Sequence, residues 1–426
     1  MTDTNEISND TTSDSVPIVF AEPKDRAPEE VQSNPIGLVV IAGLFAMLWF
    51  WAGPRYFWVV VGLMVMIFLH ELGHYMTARW TGMKATQFFL FMGPRIWSFH
   101  RGETEYGIRL LPIGAFVRII GMHNLDPVAP EDEHRAYKNK SYPRRMLVIT
   151  AGSMMHFIQA IILFFVVTSV IGLDDPEKWS VGQISALETG ETPSVVAGLE
   201  PGDTITAVDG VVSTDWRDLR TYIRESPGEE VELTVLRDGE TFQRTTTLAT
   251  LEDANGGDDF GFLGVAPTFE HSRQNPIMAV ELFGETFWQA LTSIPRLLAP
   301  STFANLGESV LSGRGEVELD SEEAQRPISV VGAVRIAGQP DVDVTWPISL
   351  LAILNIFIGL LNLVPLLPLD GGHAAIATYE RLRSRKGRPY HADVAKLLPL
   401  TYGVVALLAF VMLSTVYLDI VRPIVQ

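Results

Sequence analysis

Five long apolar runs leave this chain few ways to fold. They cover residues 36–51, 57–80, 146–171, 346–367 and 395–418. Each approaches or exceeds the roughly 20 residues that carry a helix across a bilayer. Backbone N–H and C=O groups in lipid need partners inside their own segment, so such runs become helices. One run alone could be a buried core helix, but five together predict a multi-span α-helical membrane protein. Trp49, Trp51, Trp58, Trp80, Tyr402 and Tyr417 stand near run ends, where interfacial anchors belong. Only 19% of residues are charged and the mean hydropathy is +0.20, against about a quarter charged in soluble domains.

Lys and Arg set the expected orientation. The loop 82–145 holds Lys84, Arg95, Arg101, Arg109, Arg118, Arg135, Lys138, Lys140, Arg144 and Arg145. The stretch after the fourth run holds Arg381, Arg383, Arg385, Lys386, Arg388 and Lys396. Both are predicted to face the cytoplasm, with the N-terminus inside and the C-terminus outside. The segment 172–345 then falls outside, and it is acid-rich. Residues 1–34 read as a disordered acidic tail, and 35–53 as an additional first transmembrane helix. No signal peptide or lipidation box is expected. The absence of cysteine excludes disulfides, thiolate metal sites and a cysteine nucleophile. A net charge of -18 argues against nucleic-acid binding.

Within the outer segment, residues 181–267 alternate short β-like runs with glycine turns at Gly202, Gly210 and Gly239. A helical stretch at 216–224 interrupts them. The run SVVAGLEPGDTITAVDGVVSTDWRDLRTYI resembles a PDZ domain. Such a domain binds a peptide or chain end by adding it as a strand to its sheet edge; the plainer reading is a spacer with a dead groove. Residues 268–345 form an extracytoplasmic connector. An amphipathic helix on the outer surface is expected at 283–298, and an irregular acidic link at 307–345.

The chemistry concentrates in His70-Glu71-Leu72-Gly73-His74, inside the second run. On a helix, positions four apart share a face, so His70 and His74 can grip one metal ion, with Glu71 close enough to act on its water. Ionisable groups at membrane depth usually mark function; a polar cluster gluing helices together is the plainer alternative. A catalytic zinc takes three protein ligands. The candidate third is Asp370, in the stretch Asn362-Leu363-Val364-Pro365-Leu366-Leu367-Pro368-Leu369-Asp370-Gly371-Gly372. Two prolines forbid a regular helix there, and the glycines are expected to let the chain turn sharply after the carboxylate. An aspartate capping the next helix is the alternative.

Together the two motifs and the PDZ-like insert resemble the site-2 protease family of intramembrane zinc metalloproteases, over residues 57–418. The bacterial regulator-of-sigma type, with one PDZ domain, is the nearest kind. The stretch FMGPRIWSFHRGETEYGIRLLPIGAFVRIIGM, residues 91–122, is similar to that family's membrane-associated β-loop. The resemblance implies a core split into 57–171 and 346–418, with the PDZ-like domain extracytoplasmic and the β-loop cytoplasmic. It implies Zn2+ bound by His70, His74 and Asp370, with Glu71 as general base and Asn362 steadying substrate or oxyanion. It further implies hydrolysis within single-span membrane proteins, such as anti-sigma factors already cut once, in the inner membrane of a bacterium. The chain departs from the family pattern at His156, where asparagine is usual, and at Ala115, where a second glycine is usual. His156 either makes the same hydrogen bond or titrates. Two rivals remain: an inactive PDZ-bearing membrane scaffold and a metal transporter. Transporters tend to show internal repeats, and this chain shows none.

Overall fold

The computed structural model describes residues 34–122, 128–185, 187, 191–212, 215–251, 259–297, 299–311, 317–318, 328–337, 343–385, 390–421 and 424–425. The expected acidic tail lies outside the described residues, apart from Asn34. Five helices are long and apolar enough to cross a membrane: Pro35–Ala52, Pro54–Trp80, Tyr142–Ile171, Thr345–Asn362 and Val394–Val421. All five expected spans are therefore present, though the fourth stops at Asn362 instead of 367. Two prolines follow it, at Pro365 and Pro368, and neither can donate the N–H that continuation needs.

Helix α1 (Pro35–Met47) widens into a π-helical turn at Leu48–Ala52 and ends at Gly53, whose φ of 105° suits glycine. Pro54, with φ already fixed, opens α2 (Pro54–Trp80). Trp49, Phe57 and Trp58 meet edge to face at this corner. A long hairpin follows, β1 (Ala85–Arg101) and β2 (Thr104–Ile119). Its strands bend so that residues 87–90 pair twice. Leu90 faces Ala115 on one side and Ile108 on the other, and Phe88 faces Val117 and Tyr106. The result is a small sheet in which 115–119 is an outer edge. The β-loop expected at 91–122 thus begins earlier, at Ala85. Bulges break the strict alternation that would have marked it.

Helix α3 (Tyr142–Phe165, with a π-helical end Val166–Ile171) returns along α2. The chain then enters the β domain. β3 (Leu173–Ile184) pairs with β10 (Val265–Ser272), so the domain spans 173–272, wider than the 181–267 expected. Leu173–Lys178 has the composition of a loop; its ladder partner on β10 makes it a strand. Between them lie the short helix α4 (Pro193–Val196) and β4 (Thr204–Val208), β5 (Val211–Val212), α5 (Trp216–Glu225), β6 (Glu230–Arg237), β7 (Glu240–Thr247), β8 (Ala249–Leu251) and β9 (Phe260–Phe262). Strands β5–β4–β6–β7 form one sheet. On β6 the buried residues are Val231, Leu233 and Val235, the period of two that puts one face inward. They pack on Leu219 and Ile223 of α5, which Asp215 caps by accepting from the Arg217 N–H at 2.7 Å. Asp209-Gly210 and Asp238-Gly239 turn as expected, all four with positive φ (49°, 75°, 52° and 83°), the requirement of a type I′ hairpin.

After the β domain comes α6 (Ile277–Leu297). An outer-surface helix was the expectation, but α6 packs sideways on α3 and on α9 (Thr345–Asn362). Phe283 and Phe287 sit on Phe157, and Ala279 is buried with Ala160, Ala352 and Ile356. The opposite face still exposes Val280 and Trp288. The expected irregular link also holds helices, α7 (Pro300–Leu311) and α8 (Val330–Ala337). Helix α10 (Asp370–Arg383) leads to the last span, whose α-helical part is α11 (Leu398–Val421). Asp419 near its end accepts from the Ser329 N–H at 2.7 Å, docking α8 there.

These contacts fix helix direction. Asn34 N–H donates to Ile96 O at 2.7 Å, so α1 starts at the hairpin end, where α2 finishes and α3 begins. α3 ends at the β domain, and α9 starts beside it. Helices α1, α2, α3 and α9 therefore alternate in direction.

Candidate metal centre

Helical geometry brings His70 and His74 together on the buried face of α2, with their Nε2 atoms 3.1 Å apart. Asp370 joins them: its Oδ2 lies 3.4 Å from His70 Nε2 and 3.2 Å from His74 Nε2. All three donor atoms lie within 4.8 Å of one another. Metal–ligand bonds of about 2.0–2.2 Å, set at a tetrahedral angle, separate neighbouring ligand atoms by about 3.3–3.6 Å. The triangle has roughly the size that one ion would draw.

Hydrogen bonding supports the same donor set. His74 Nδ1 lies 2.7 Å from the Val148 carbonyl oxygen, which can only accept. The ring proton therefore sits on Nδ1, and the Nε2 lone pair faces His70 and Asp370. Asp370 Oδ2 is buried without a hydrogen bond, as is His70 Nδ1. Carboxylate oxygen and imidazole lone pair facing each other in an apolar layer repel; a cation between them removes the cost. The residues present fit a divalent metal.

The chain reaches this arrangement through close packing at glycine. On α3, a Cβ at Gly152 would lie 2.4 Å from both His70 Cε1 and His74 Nε2. A Cβ at Gly73 would meet the Ala151 carbonyl oxygen at 2.8 Å. α2 and α3 therefore touch with the imidazoles lying over bare backbone. Gly371 and Gly372 act in a related way, which corrects the expectation of a sharp turn. Both lie in the first turn of α10 without positive φ. A Cβ at Gly371 would sit 2.2 Å from the Val364 carbonyl oxygen, so the pair lets the proline-rich loop fold back onto α10. Asp370 is the first residue of that helix and does not cap it; the cap position is Leu369, with no side-chain bond.

Around the triangle stand residues that sequence reasoning places only in part. Glu71 Oε2 accepts from the Val117 N–H of the hairpin edge at 3.1 Å. His156 is 1% exposed, its ring 4.8 Å from that of His70, and its Nδ1 is 2.9 Å from Asn355 Oδ1. His156 is thus hydrogen-bonded to a neighbouring span. Asn355 also donates to the Leu351 carbonyl at 2.8 Å. It was not among the expected residues; an asparagine in the middle of an apolar span is the signal that could have found it. Asn362 ends α9 half-buried. Arg145 of α3 pairs with Glu380 of α10 at 2.7 Å, both nearly buried, and ties the two motif-bearing halves together.

The sequence profile of Peptidase family M50 matches residues 58–410. Zinc metalloprotease Rip1 of Mycolicibacterium smegmatis is 35% identical over 399 residues, covering 85% of this chain and 96% of that protein. Zinc metalloprotease Rip1 of Mycobacterium tuberculosis is 31% identical over 394 residues, with 85% and 96% covered. Zinc metalloprotease RasP of Shouchella clausii is 28% identical over 402 residues, with 76% and 90% covered. Since the profile spans both the histidine pair and the Asp370 loop, and the Rip1 proteins align along most of their length, the chain belongs to Peptidase family M50, the site-2 protease family.

Proposed function

We propose that this chain is an intramembrane zinc metalloprotease acting in regulated intramembrane proteolysis. It hydrolyses a peptide bond within or near the transmembrane segment of single-span membrane proteins. The observation that carries this reading is the meeting of His70, His74 and Asp370 beside Glu71, among helices apolar enough to span lipid. His70, His74 and Asp370 would hold the ion. Bound there, zinc would supply Lewis acidity toward a carbonyl and toward water. Glu71 takes the proton at its carboxylate and passes it to the leaving amine. Asn362, at the end of α9, steadies the substrate carbonyl.

A membrane helix hides its carbonyls in its own hydrogen bonds, so the substrate must unwind. The hairpin edge 115–119 offers a ladder for the unwound segment. Its Val117 N–H now donates to Glu71. A substrate strand that takes this N–H frees the carboxylate to move protons.

The Lys- and Arg-rich hairpin loop and the alternating helix directions support a cytoplasmic hairpin and N-terminus, with the PDZ-like domain outside a bacterial cell membrane. That domain gates access. It rejects proteins that still carry a bulky outer domain and admits stubs trimmed by a first protease, anti-sigma factors among them; its groove takes a peptide or chain end. Co-expression with single-span anti-sigma factors tests the reading. Glu71→Gln should abolish cleavage and spare zinc; a scaffold or transporter would be indifferent to that change. Removal of residues 173–272 should admit untrimmed substrate, and unchanged selectivity would refute the gate.

A further inference from the structure

A second cluster of metal-type donors stands at the opposite end of α9 from Asp370. Asp174 is the second residue of β3, His271 lies near the end of β10, and Asp343 just precedes α9. Their three donor atoms lie within 4.8 Å of one another. His271 Nε2 is 3.2 Å from Asp174 Oδ1 and 3.3 Å from Asp343 Oδ2. Three separated chain segments supply them, so no single turn makes the cluster. Asp174 and His271 are ladder partners across β3 and β10. Asp343 is oriented by its other oxygen, Oδ1, which accepts from the Thr345 N–H at 2.7 Å.

A protonated histidine shared by two aspartates is the competing explanation. A charge-assisted N–H···O bond is about 2.7–2.9 Å long, and one Nε2–H cannot point straight at two oxygens. Both observed distances are longer. They match instead the separation of neighbouring ligands on one ion, about 3.3 Å for bonds of about 2.0 Å. The first centre shows the same spacing, 3.2 and 3.4 Å between imidazole and carboxylate. One imidazole with two carboxylates suits zinc or manganese. The side chains remain 26–50% exposed, leaving room for water to complete the coordination.

We propose that Asp174, His271 and Asp343 form a second divalent-metal site that clamps the base of the PDZ-like domain to α9. It draws on none of the residues of the first centre. α9 runs from this clamp to Asn362 and the Asp370 loop, so the ion ties the outer domain to the helix that leads into the catalytic end. Free rocking of the domain on its two connecting strands is thereby restricted.

Zinc counting on the full chain in detergent tests this. Equilibrium dialysis against zinc, followed by metal analysis, should give two ions per chain. His271→Ala and, separately, Asp343→Asn should each give one. A His70→Ala, His74→Ala chain should keep one, and His271→Ala added to it should remove that one. On the His70→Ala, His74→Ala chain, manganese as the probe should give a bound-ion EPR signal that is lost when His271→Ala is added. A wild-type count of one, or a count unchanged by both His271→Ala and Asp343→Asn, overturns the clamp and marks any further zinc as adventitious. A count unchanged by the His70→Ala, His74→Ala pair would instead sink the first centre and leave the clamp standing.

Discussion

Gly152→Ala is a one-carbon change with a large expected consequence. The added Cβ would sit 2.4 Å from His70 Cε1, 2.4 Å from His74 Nε2 and 2.6 Å from His70 Nδ1. Ordinary contact between such atoms is about 3.5 Å, so roughly 1 Å must be found. The rings cannot easily give it: His74 is held by Val148, and His70 is hemmed in by His156. α3 must retreat or the imidazoles must tilt. Overpacking of this kind costs about 1–3 kcal/mol of stability. Metal sites tolerate distance errors of only about 0.2 Å, and a misplacement of about 1 Å can cost about 100-fold in function. We expect zinc affinity at this centre, measured against a competing chelator, to fall by about 100-fold, and cleavage to be lost. Gly403→Ala, where an added Cβ meets nothing within 4 Å, is the control and should behave as wild type. A Gly152→Ala protein that binds zinc within threefold of wild type and still cleaves would refute the packing argument.

The remaining expectations follow from particular contacts. Arg145→Ala leaves the buried Glu380 without its counter-ion, with only the Ala392 N–H still donating to it, and should lower stability in detergent by about 3 kcal/mol; replacing both with apolar residues of similar size should restore most of it in the same thermal melt. Asn355→Leu removes the acceptor of the buried His156 Nδ1–H, at a cost of about 1–3 kcal/mol, and a melt unchanged to within about 0.5 kcal/mol would contradict it. In the PDZ-like domain, burial opposes ionisation of Asp203, but hydrogen bonds from Arg237 and from the Glu200 N–H outweigh it and hold the carboxyl below its usual range. The stability this gives is fully present above the unfolded value of 3.8 and is lost as pH falls through the lower folded value. Acid unfolding followed by Trp179 and Trp216 emission should show that loss, and Asp203→Asn should abolish the step.

Much of this was legible in the sequence because the signals were local. The five spans are runs of apolar side chains, and the histidine pair is a fixed spacing on one helix. Asp370 was legible because prolines break the apolar run just before it. The Asp-Gly turns were legible because few other residues accept positive φ at both positions. What escaped depends on contacts across the chain. Gly152 is ordinary until α2 is laid against α3. Asn355 acquires meaning only when His156 faces it. Leu173–Lys178 becomes a strand only because β10 supplies its ladder, and α6 looks like a surface helix until Phe157 is found beneath its phenylalanines. The hairpin was half-hidden for another reason: its bulges and double pairing destroy the period that identifies a strand.

The central claim is that three side chains hold one zinc ion while Glu71 handles the proton. Zinc content and cleavage, measured on the same preparation in a His271→Ala background, test it most directly. Glu71→Gln should keep one zinc and cut nothing, and Asp370→Ala should lose the zinc. Cleavage persisting in Glu71→Gln, or zinc retained in full by Asp370→Ala, would contradict the account.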